Sequence, residues 1–391
     1  MKSMQIFAIV SRRVACLLLV ALVGCGGSGV GSGGSGVPAG VQTGTVNGFG
    51  SVIVDSTVYE DENASVSVDL DGESAPALTP DDVRLGMQIR LTFEQEAVAQ
   101  SVEINPQLIG PVDSVTATEI VVAGQTVSIV ASGARPTLFA GFDTLSELNQ
   151  GDRVAVFGLF GEAGRLFATR IQSGAPGPAT LIKVTGTINF IGLLRQGIRI
   201  GDQVFELDNG TRSDVAPREL RVGDLVSVWA DTTGSRSLRA RRLELEEPRP
   251  TIGSVRRTIG FVRQAPVNGV AVIGRNRIDV SNASFPIGSI SDLTPGRLVL
   301  VSGQVEDRTL SASLVTFLDL NREGDVSVAG TVSALMAGTS LQVRNTRVDL
   351  RLPDLRFTNG VPADLIDGAR VQVRGSIVNG RFVAREIEFA R

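Results

Sequence analysis

Apolar and polar residues alternate along most of the chain after about residue 40, which is typical of β-strands with one buried face. The clearest alternation covers residues 369–375, and a second stretch covers residues 382–389. Between them lies Asn379-Gly380, the residue pair of a tight hairpin turn. The pattern therefore predicts an all-β fold built from hairpins.

The C-terminal stretch shows the complete order of elements. It predicts three strands, one helical turn at Pro362–Leu365 and then two strands. The predicted strands are residues 328–335, 340–344, 347–350, 369–375 and 382–389. This order is the outline of a small five-stranded OB-like barrel, and a short open β-sandwich is the alternative.

Three short motifs recur in the same order five times. The first opens a strand with glycine, at Gly44, Gly110, Gly186, Gly260 and Gly330. The second motif consists of a leucine-like residue, any two residues and a glycine, and a strand follows it. Its glycines are Gly86, Gly151, Gly223, Gly296 and Gly368. The third is an alanine in the closing strand, at Ala99, Ala168, Ala240, Ala312 and Ala384. Such regular recurrence predicts a tandem array of five units.

The motifs divide the chain into five β-repeats of five or six strands each. Their predicted bounds are 42–107, 108–173, 182–246, 251–320 and 326–391. A unit of about 60 residues buries only about 60% of its unfolded surface and is marginally stable alone. We therefore expect adjacent units to pack on each other.

The first unit resembles a known bacterial repeat. Residues 48–54 (GFGSVIV), followed by residues 58–60 and Ala64, are similar to the family catalogued as domain of unknown function 5666. The resemblance extends over about residues 42–390, although Asp55-Ser56 stands where the family often has Asn-Gly. It implies a secreted, lipid-anchored β-repeat protein, and it carries over no activity and no functional residues.

Residues 1–24 are predicted to be a lipoprotein signal peptide. Basic residues precede the apolar stretch 14–23, which is too short to span a bilayer of about 30 Å as a helix. The stretch ends in residues 22–25 (LVGC), which resemble a bacterial lipobox, so Cys25 is the predicted site of lipidation with acyl chains such as palmitate. An ordinary signal peptide that contains a cysteine is the alternative.

The segment after the lipobox determines the expected location. Residues 25–41 are rich in Gly and Ser and predict a flexible tether between the membrane and the folded units. Gly26 stands where inner-membrane lipoproteins of Gram-negative bacteria commonly have Asp, so the outer membrane is favoured. The expected localisation is the bacterial cell envelope, with the membrane as a partner through the lipid anchor.

Composition excludes several chemistries. The chain has no histidine, which rules out Ser-His-Asp and Cys-His catalytic sets and histidine metal sites. Cys16 would leave with the signal peptide and Cys25 would be acylated, so no thiol nucleophile and no disulfide remain. We predict no catalytic residue, no cofactor and no metal site. The formal net charge of −4 argues against a nucleic-acid partner.

Two charged clusters are candidates for ligand binding. Asp61-Glu62 and the stretch 69–73 (DLDGE) could supply oxygen ligands for Ca²⁺, whereas the alternative is a solvated hairpin turn. Arginines could bind anionic lipid headgroups or polysaccharide, whereas the alternative is an exposed strand face paired with acids. These arginines are Arg236, Arg239, Arg241, Arg242, Arg256 and Arg257.

Phe285 and Phe357 occupy matching places in two units, each followed three residues later by glycine, and are predicted to fill the cores.

Taken together, the sequence favours a non-catalytic protein with a structural or binding role towards an envelope protein or glycan. A hydrolase that uses paired carboxylates on envelope glycan is the alternative, and an accessory role in envelope assembly is a third hypothesis.

Overall fold

The computed structural model describes most of the chain from residue 40 onwards. The described residues are 40–49, 51–55, 57–71, 77–95, 98–131, 135–161, 164–193, 196–232, 238–246, 255–274, 276–306, 309–318 and 326–390. Cys25, the predicted signal peptide and nearly all of the predicted tether lie outside them. Within these ranges, no helix is long and apolar enough to cross a membrane.

The described secondary structure consists of β-strands and short 3-10 turns, and it forms five successive sets that we call barrels 1 to 5. Barrel 1 contains β1 (Gly40–Phe49), β2 (Val52–Val54), β3 (Thr57–Tyr59), β4 (Ser65–Val68), β5 (Gln88–Gln95) and β6 (Val98–Ile104). Barrel 2 contains β7 (Leu108–Val115), β8 (Glu119–Val122), β9 (Gln125–Ile129), β10 (Leu138–Ala140), β11 (Arg153–Phe160) and β12 (Leu166–Ser173). Barrel 3 contains β13 (Leu181–Ile191), β14 (Gly197–Ile200), β15 (Gln203–Glu206), β16 (Arg212–Ser213), β17 (Leu225–Asp231) and β18 (Leu238–Leu245).

The last two sets follow the same order. Barrel 4 contains β19 (Val255–Val267), β20 (Val270–Ile273), β21 (Asn276–Asp279), β22 (Leu298–Glu306) and β23 (Thr309–Phe317). Barrel 5 contains β24 (Val326–Met336), β25 (Ser340–Val343), β26 (Thr346–Asp349), β27 (Arg356–Thr358), β28 (Arg370–Val378) and β29 (Arg381–Phe389). The 3-10 turns are Pro80–Asp82, Leu145–Glu147, Pro217–Glu219, Ile290–Asp292 and Pro362–Asp364.

The strands of barrel 5 close into a ring. β24 pairs with β25, and β25 with β26, both antiparallel. β26 runs parallel to β29, which pairs with β28, and β28 returns to β24. This closed order confirms the predicted OB-like barrel, and the open sandwich is wrong. Barrels 2, 3 and 4 repeat the pairing. In barrel 1 a single bridge between Glu60 and Val98 takes the place of the parallel pairing of the third strand, and β4 runs parallel to β6.

One hydrogen bond joins the first two sequence motifs in every barrel. The glycine of the second motif donates its N–H to a carbonyl of the opening strand at 2.8 to 2.9 Å. The pairs are Gly86 with Val46, Gly151 with Val112, Gly223 with Ile188, Gly296 with Val262 and Gly368 with Val332. All five glycines have φ between 78° and 99°, a region that residues with a Cβ rarely adopt. The recurring glycine thus turns the chain into the next strand.

The barrels pack on each other through β1 and β7. β7 pairs with β13, so barrels 2 and 3 pack together as predicted for neighbouring units. β1 pairs in parallel with β19 of barrel 4 and with β24 of barrel 5. Barrel 1 therefore contacts units that are remote from it in sequence, and the packing is not limited to sequence neighbours.

The predicted phenylalanine plugs pack against the apolar cores of barrels 4 and 5. Phe285 stacks on Phe317 at 6.1 Å between ring centroids, and Phe357 stacks on Phe389 at 6.4 Å. Phe285 and Phe357 are half-buried and pack against the apolar clusters of barrels 4 and 5. The prediction that both fill core space is confirmed.

Candidate functional site

The acidic stretch and the arginine cluster meet where barrel 1 contacts barrel 3. Asp71 forms ion pairs with Arg212 and Arg241, and Asp69 pairs with Arg242. The Asp71 side chain is completely buried, although the Asp71–Arg241 contact of 3.1 Å lacks hydrogen-bond geometry. Charged groups that looked like two separate ligand sites therefore neutralise each other.

These contacts correct two alternatives from the sequence. The solvated hairpin is wrong for Asp71, because its carboxylate has no exposed surface. The exposed strand face is wrong for Arg242, whose side chain is only 16% exposed and lies 3.7 Å above the Trp229 ring. No group of three or more His, Cys, Asp or Glu residues within the described ranges could hold a metal ion. Arginine contacts thus occupy the carboxylates of Asp69 and Asp71.

Among the remaining charged candidates, Asp61 and Arg257 join barrels, Glu62 is exposed, and Arg239 pairs with Asp208 inside barrel 3 at 2.8 Å. Asp61 is buried and lies 3.4 Å from Arg344 of barrel 5. Burial raises the pKa of the Asp61 carboxyl, and the charge of Arg344 opposes this rise. Arg257 donates to the Tyr59 hydroxyl of barrel 1 at 3.4 Å. Arg236 is outside the described ranges.

A polar cavity of about 370 Å³ lies where barrels 1 to 4 converge, and we call it the central cavity. Lys183, the one lysine of the described chain, is almost fully buried in its wall. Its ammonium donates to Asn105 Oδ1 at 2.6 Å and lies 4.8 Å from the Trp229 ring. The cavity wall also includes Glu103, Glu244 and other charged side chains. The central cavity is thus a charged space between barrels.

Glu244 is a carboxyl of the central cavity whose pKa is raised above its ordinary value. Burial raises its pKa, and the charges of Asp69, Asp214 and Glu246 raise it further against the opposing charge of Arg242. A carboxyl with a raised pKa beside other carboxylates is the arrangement that glycosidases use for a general acid.

A larger cavity of about 650 Å³ lies between barrels 2 and 5, with Arg84 of barrel 1 also in its wall, and we call it the 2–5 cavity. Barrel 5 contributes β25, β26 and the residues at the two hairpin turns, including Thr339 and Gly380. Barrel 2 contributes the segment that contains Phe139 and Phe142, whose rings stack at 5.1 Å. The Phe139 N–H donates to the Gly380 carbonyl at 2.9 Å, which fixes the two barrels against each other.

The 2–5 cavity is rich in arginine. Its wall contains Arg84, Arg170, Arg347, Arg351 and Arg381, together with the acids Asp143, Glu147 and Asp349. Sequence reasoning did not single out any of these residues. Each arginine lies apart from the others in sequence or in an ordinary hairpin, so no local cluster indicates the site.

The comparisons with known proteins agree with the repeated fold. The model of the family described as Domain of unknown function (DUF5666) matches residues 109–172, 185–244 and 329–388. The matches coincide with barrels 2, 3 and 5. No curated protein matches the chain. Barrels 2, 3 and 5 therefore match the DUF5666 model, within a chain of repeated, closed, OB-like β-barrels.

Proposed function

We propose that this chain is a non-catalytic protein of the bacterial cell envelope that is anchored by a lipid on Cys25 and binds an envelope glycan. Residues 25–41 tether the barrels to the membrane, and the residue after the lipidated cysteine favours the outer membrane. The packed barrels are the part that binds.

The observation that carries this proposal is the position of the 2–5 cavity on barrel 5. In OB-folds, the face of the second and third strands and the adjoining loops binds oligonucleotides and oligosaccharides. β25, β26 and the turns at Thr339 and Gly380 are the corresponding elements here. The formal net charge of −4 disfavours the nucleic-acid option, which leaves a glycan. A volume of about 650 Å³ also suits a small ligand.

Binding can be measured with the whole secreted chain made soluble by Cys25→Ser. We expect this protein to co-sediment with insoluble envelope polysaccharide from a Gram-negative bacterium. Phe142→Ala, which removes one ring of the stacked pair in the 2–5 cavity, should weaken co-sedimentation. Phe285→Ala is the matched control, because it removes one half-buried ring of a stacked pair in barrel 4. Absence of binding to every envelope polysaccharide would overturn the proposal.

The anchor needs a separate test. Cells that express the wild-type chain are fed an alkyne analogue of palmitate, and the protein is then located in density-separated membranes. We expect label and outer-membrane location for the wild-type chain, and neither for Cys25→Ser. An unlabelled wild-type chain in the soluble fraction would contradict the lipid anchor and leave the glycan proposal standing.

The raised pKa of Glu244 favours a second candidate, a hydrolase that acts on envelope glycan at the central cavity. This candidate predicts that the wild-type chain releases soluble sugar products from envelope glycan. Glu244→Gln should lose this activity, and Glu119→Gln should keep it. Glu119 is a suitable control because it pairs with Arg165 and does not line the central cavity. Under the leading proposal, no product is released by any of the three.

A further inference from the structure

Two arginines of the 2–5 cavity have no acid to balance their charge. Arg170 is only 6% exposed, and its guanidinium donates to the Leu85 carbonyl at 3.1 Å and to Gln172 at 3.3 Å. Within the described part of the chain, no carboxylate lies within ion-pair distance of Arg170. Arg84 is half-buried in the same wall and likewise has no ion pair there. Burying a charge without a counter-charge is costly, so this arrangement calls for an anion.

The lowered pKa of Arg170 is consistent with the absence of a nearby counter-charge. Burial, and then the positive charge of Arg84, lower the pKa of Arg170 to about 9. Arg170 remains charged at neutral pH, and the two guanidinium groups repel each other. A bound oxyanion between or beside them would remove this repulsion and accept charge-assisted hydrogen bonds.

The acids of the wall do not fulfil this role, because each already has a partner. Asp143 lies 3.2 Å from Arg381 and 3.7 Å from Arg347. Asp349 accepts hydrogen bonds from Arg351, one of them from Nε at 2.9 Å. Glu147 accepts the Thr144 N–H at 2.9 Å. Five arginines face three acids, so the wall keeps an excess of positive charge.

A hydroxyl in the barrel 5 wall of the same cavity is also without a partner. Thr346 is only 8% exposed, and its Oγ1 makes no hydrogen bond. Buried hydroxyl groups normally have a hydrogen-bond partner, so the protein's own groups leave this part of the wall incompletely hydrogen-bonded. The stacked rings of Phe139 and Phe142 add a flat apolar surface, which suits the apolar face of a sugar ring.

We infer that the 2–5 cavity binds an acidic oligosaccharide, with a carboxylate or phosphate group of the sugar at Arg84 and Arg170. This inference rests on the proposed glycan-binding function and adds the chemical class of the ligand. A sugar ring lies on the Phe139–Phe142 pair. The anionic group supplies the counter-charge that the protein lacks.

The test is isothermal titration of the full secreted chain carrying Cys25→Ser. The probes are trigalacturonic acid, glucose 6-phosphate, neutral maltotriose and inorganic phosphate. We expect either trigalacturonic acid or glucose 6-phosphate to bind, and the one that binds shows whether the site recognises a carboxylate or a phosphate. Maltotriose should bind at least about tenfold more weakly than that acidic sugar. Equal binding of maltotriose, or binding of inorganic phosphate as tight as that of the acidic sugar, would overturn the inference.

Variants assign the binding to this cavity. Arg84→Gln should weaken binding of the acidic sugar about tenfold or more, because it removes a charge that has no structural partner. Arg165→Gln makes the same charge change outside the cavity and should bind like the parent chain. Arg170→Gln is a second variant, but it also removes the hydrogen bond to the Leu85 carbonyl. Thermal unfolding of this variant without ligand will show whether it folds. An unchanged affinity in Arg84→Gln would place the ligand elsewhere.

Failure of this inference is distinguishable from failure of the proposed function. If the chain co-sediments with envelope polysaccharide but binds maltotriose as tightly as the acidic sugars, glycan binding stands and the acidic class is wrong. If polysaccharide does not bind at all, the proposed function fails, whatever the small probes do.

Discussion

Asp71 of barrel 1 and Arg241 of barrel 3 lie 3.1 Å apart, measured from Oδ2 to Nε, with the aspartate side chain completely buried. The same carboxylate pairs with Arg212 and lies 3.6 Å from Arg242. Three arginines of barrel 3 thus surround one aspartate of barrel 1. Removing one partner of a buried ion pair leaves the other charge uncompensated, so this contact should matter for stability.

We expect Asp71→Asn to lower the free energy of unfolding by about 3 kcal/mol, because it leaves arginine charges without a counter-charge. The backbone at Asp71 has φ of 61°, a region that asparagine also tolerates, so the substitution adds no strain. Urea denaturation followed by tryptophan fluorescence measures the loss. Trp229 is the one tryptophan, and its indole N–H points to the Asp69 carbonyl at 3.4 Å, so it reports on this interface.

Asp208→Asn is the control for this prediction. Asp208 pairs with Arg239 at 2.8 Å, but both side chains are largely exposed, and exposed pairs contribute little. We expect no measurable change in the urea midpoint. If Asp71→Asn behaved in the same way, the buried pair would not hold barrels 1 and 3 together.

Asp69 should make the interface sensitive to acid. Burial opposes ionisation of Asp69, but hydrogen bonds from Arg242 and the Asp71 N–H, with the charges of Arg242 and Lys183, lower its pKa below the ordinary 3.8. The unfolded state then binds protons more readily, so the stabilisation is complete above about pH 4 and is lost as pH falls through the lower folded pKa. The urea midpoints of wild type and Asp69→Asn should therefore differ at about pH 7, and the difference should shrink as pH falls below about 4. A constant difference would contradict the assignment.

Glu244 should change the pH dependence of stability in the opposite direction to Asp69. Its pKa is raised above the ordinary 4.5, chiefly by burial, so the folded state binds the proton more tightly than the unfolded state. The wild-type chain then loses stability as pH rises from about 4.5 through the folded pKa. We expect Glu244→Gln to be as stable as wild type or more stable at about pH 7, with less advantage at about pH 4. A variant that is less stable at about pH 7 would show that the ionised carboxylate is a net stabilising group.

The elements that the sequence predicted correctly are those fixed by short-range geometry. The glycine at Gly368 needs a positive φ wherever this turn occurs, and Asn379-Gly380 forms the expected hairpin with φ of 48° and 80°. β27 was missed, because its residues 356–358 pair only with the distant strand β29 and show no clear alternation.

The 2–5 cavity could not be predicted, because it exists only after barrels 2 and 5 pack together. Arg84, Arg170 and Thr346 come from three barrels, and nothing local brings them into one wall. Because 35 of the 37 basic residues are arginine, the sequence does not distinguish an arginine without an acid partner from the others. The acidic stretch was misread for the same reason, since its partners lie more than 100 residues away in barrel 3.

The contact between Gly380 and Phe139 provides a test of how barrels 2 and 5 pack. A Cβ added at Gly380 would lie 2.2 Å from Phe139 Cδ2, so Gly380→Ala must displace that ring. Gly338 is the matched control in the same barrel: its φ of 65° is also positive, and nothing lies within 4 Å of an added Cβ. Both alanine variants carry the strain of a left-handed residue, about 1–2 kcal/mol. Gly380→Ala should lose about 1–3 kcal/mol more, because the ring and its hydrogen-bonded backbone have to move. Urea denaturation of the two variants measures that difference, and equal losses would mean that Phe139 does not pack on Gly380 in solution.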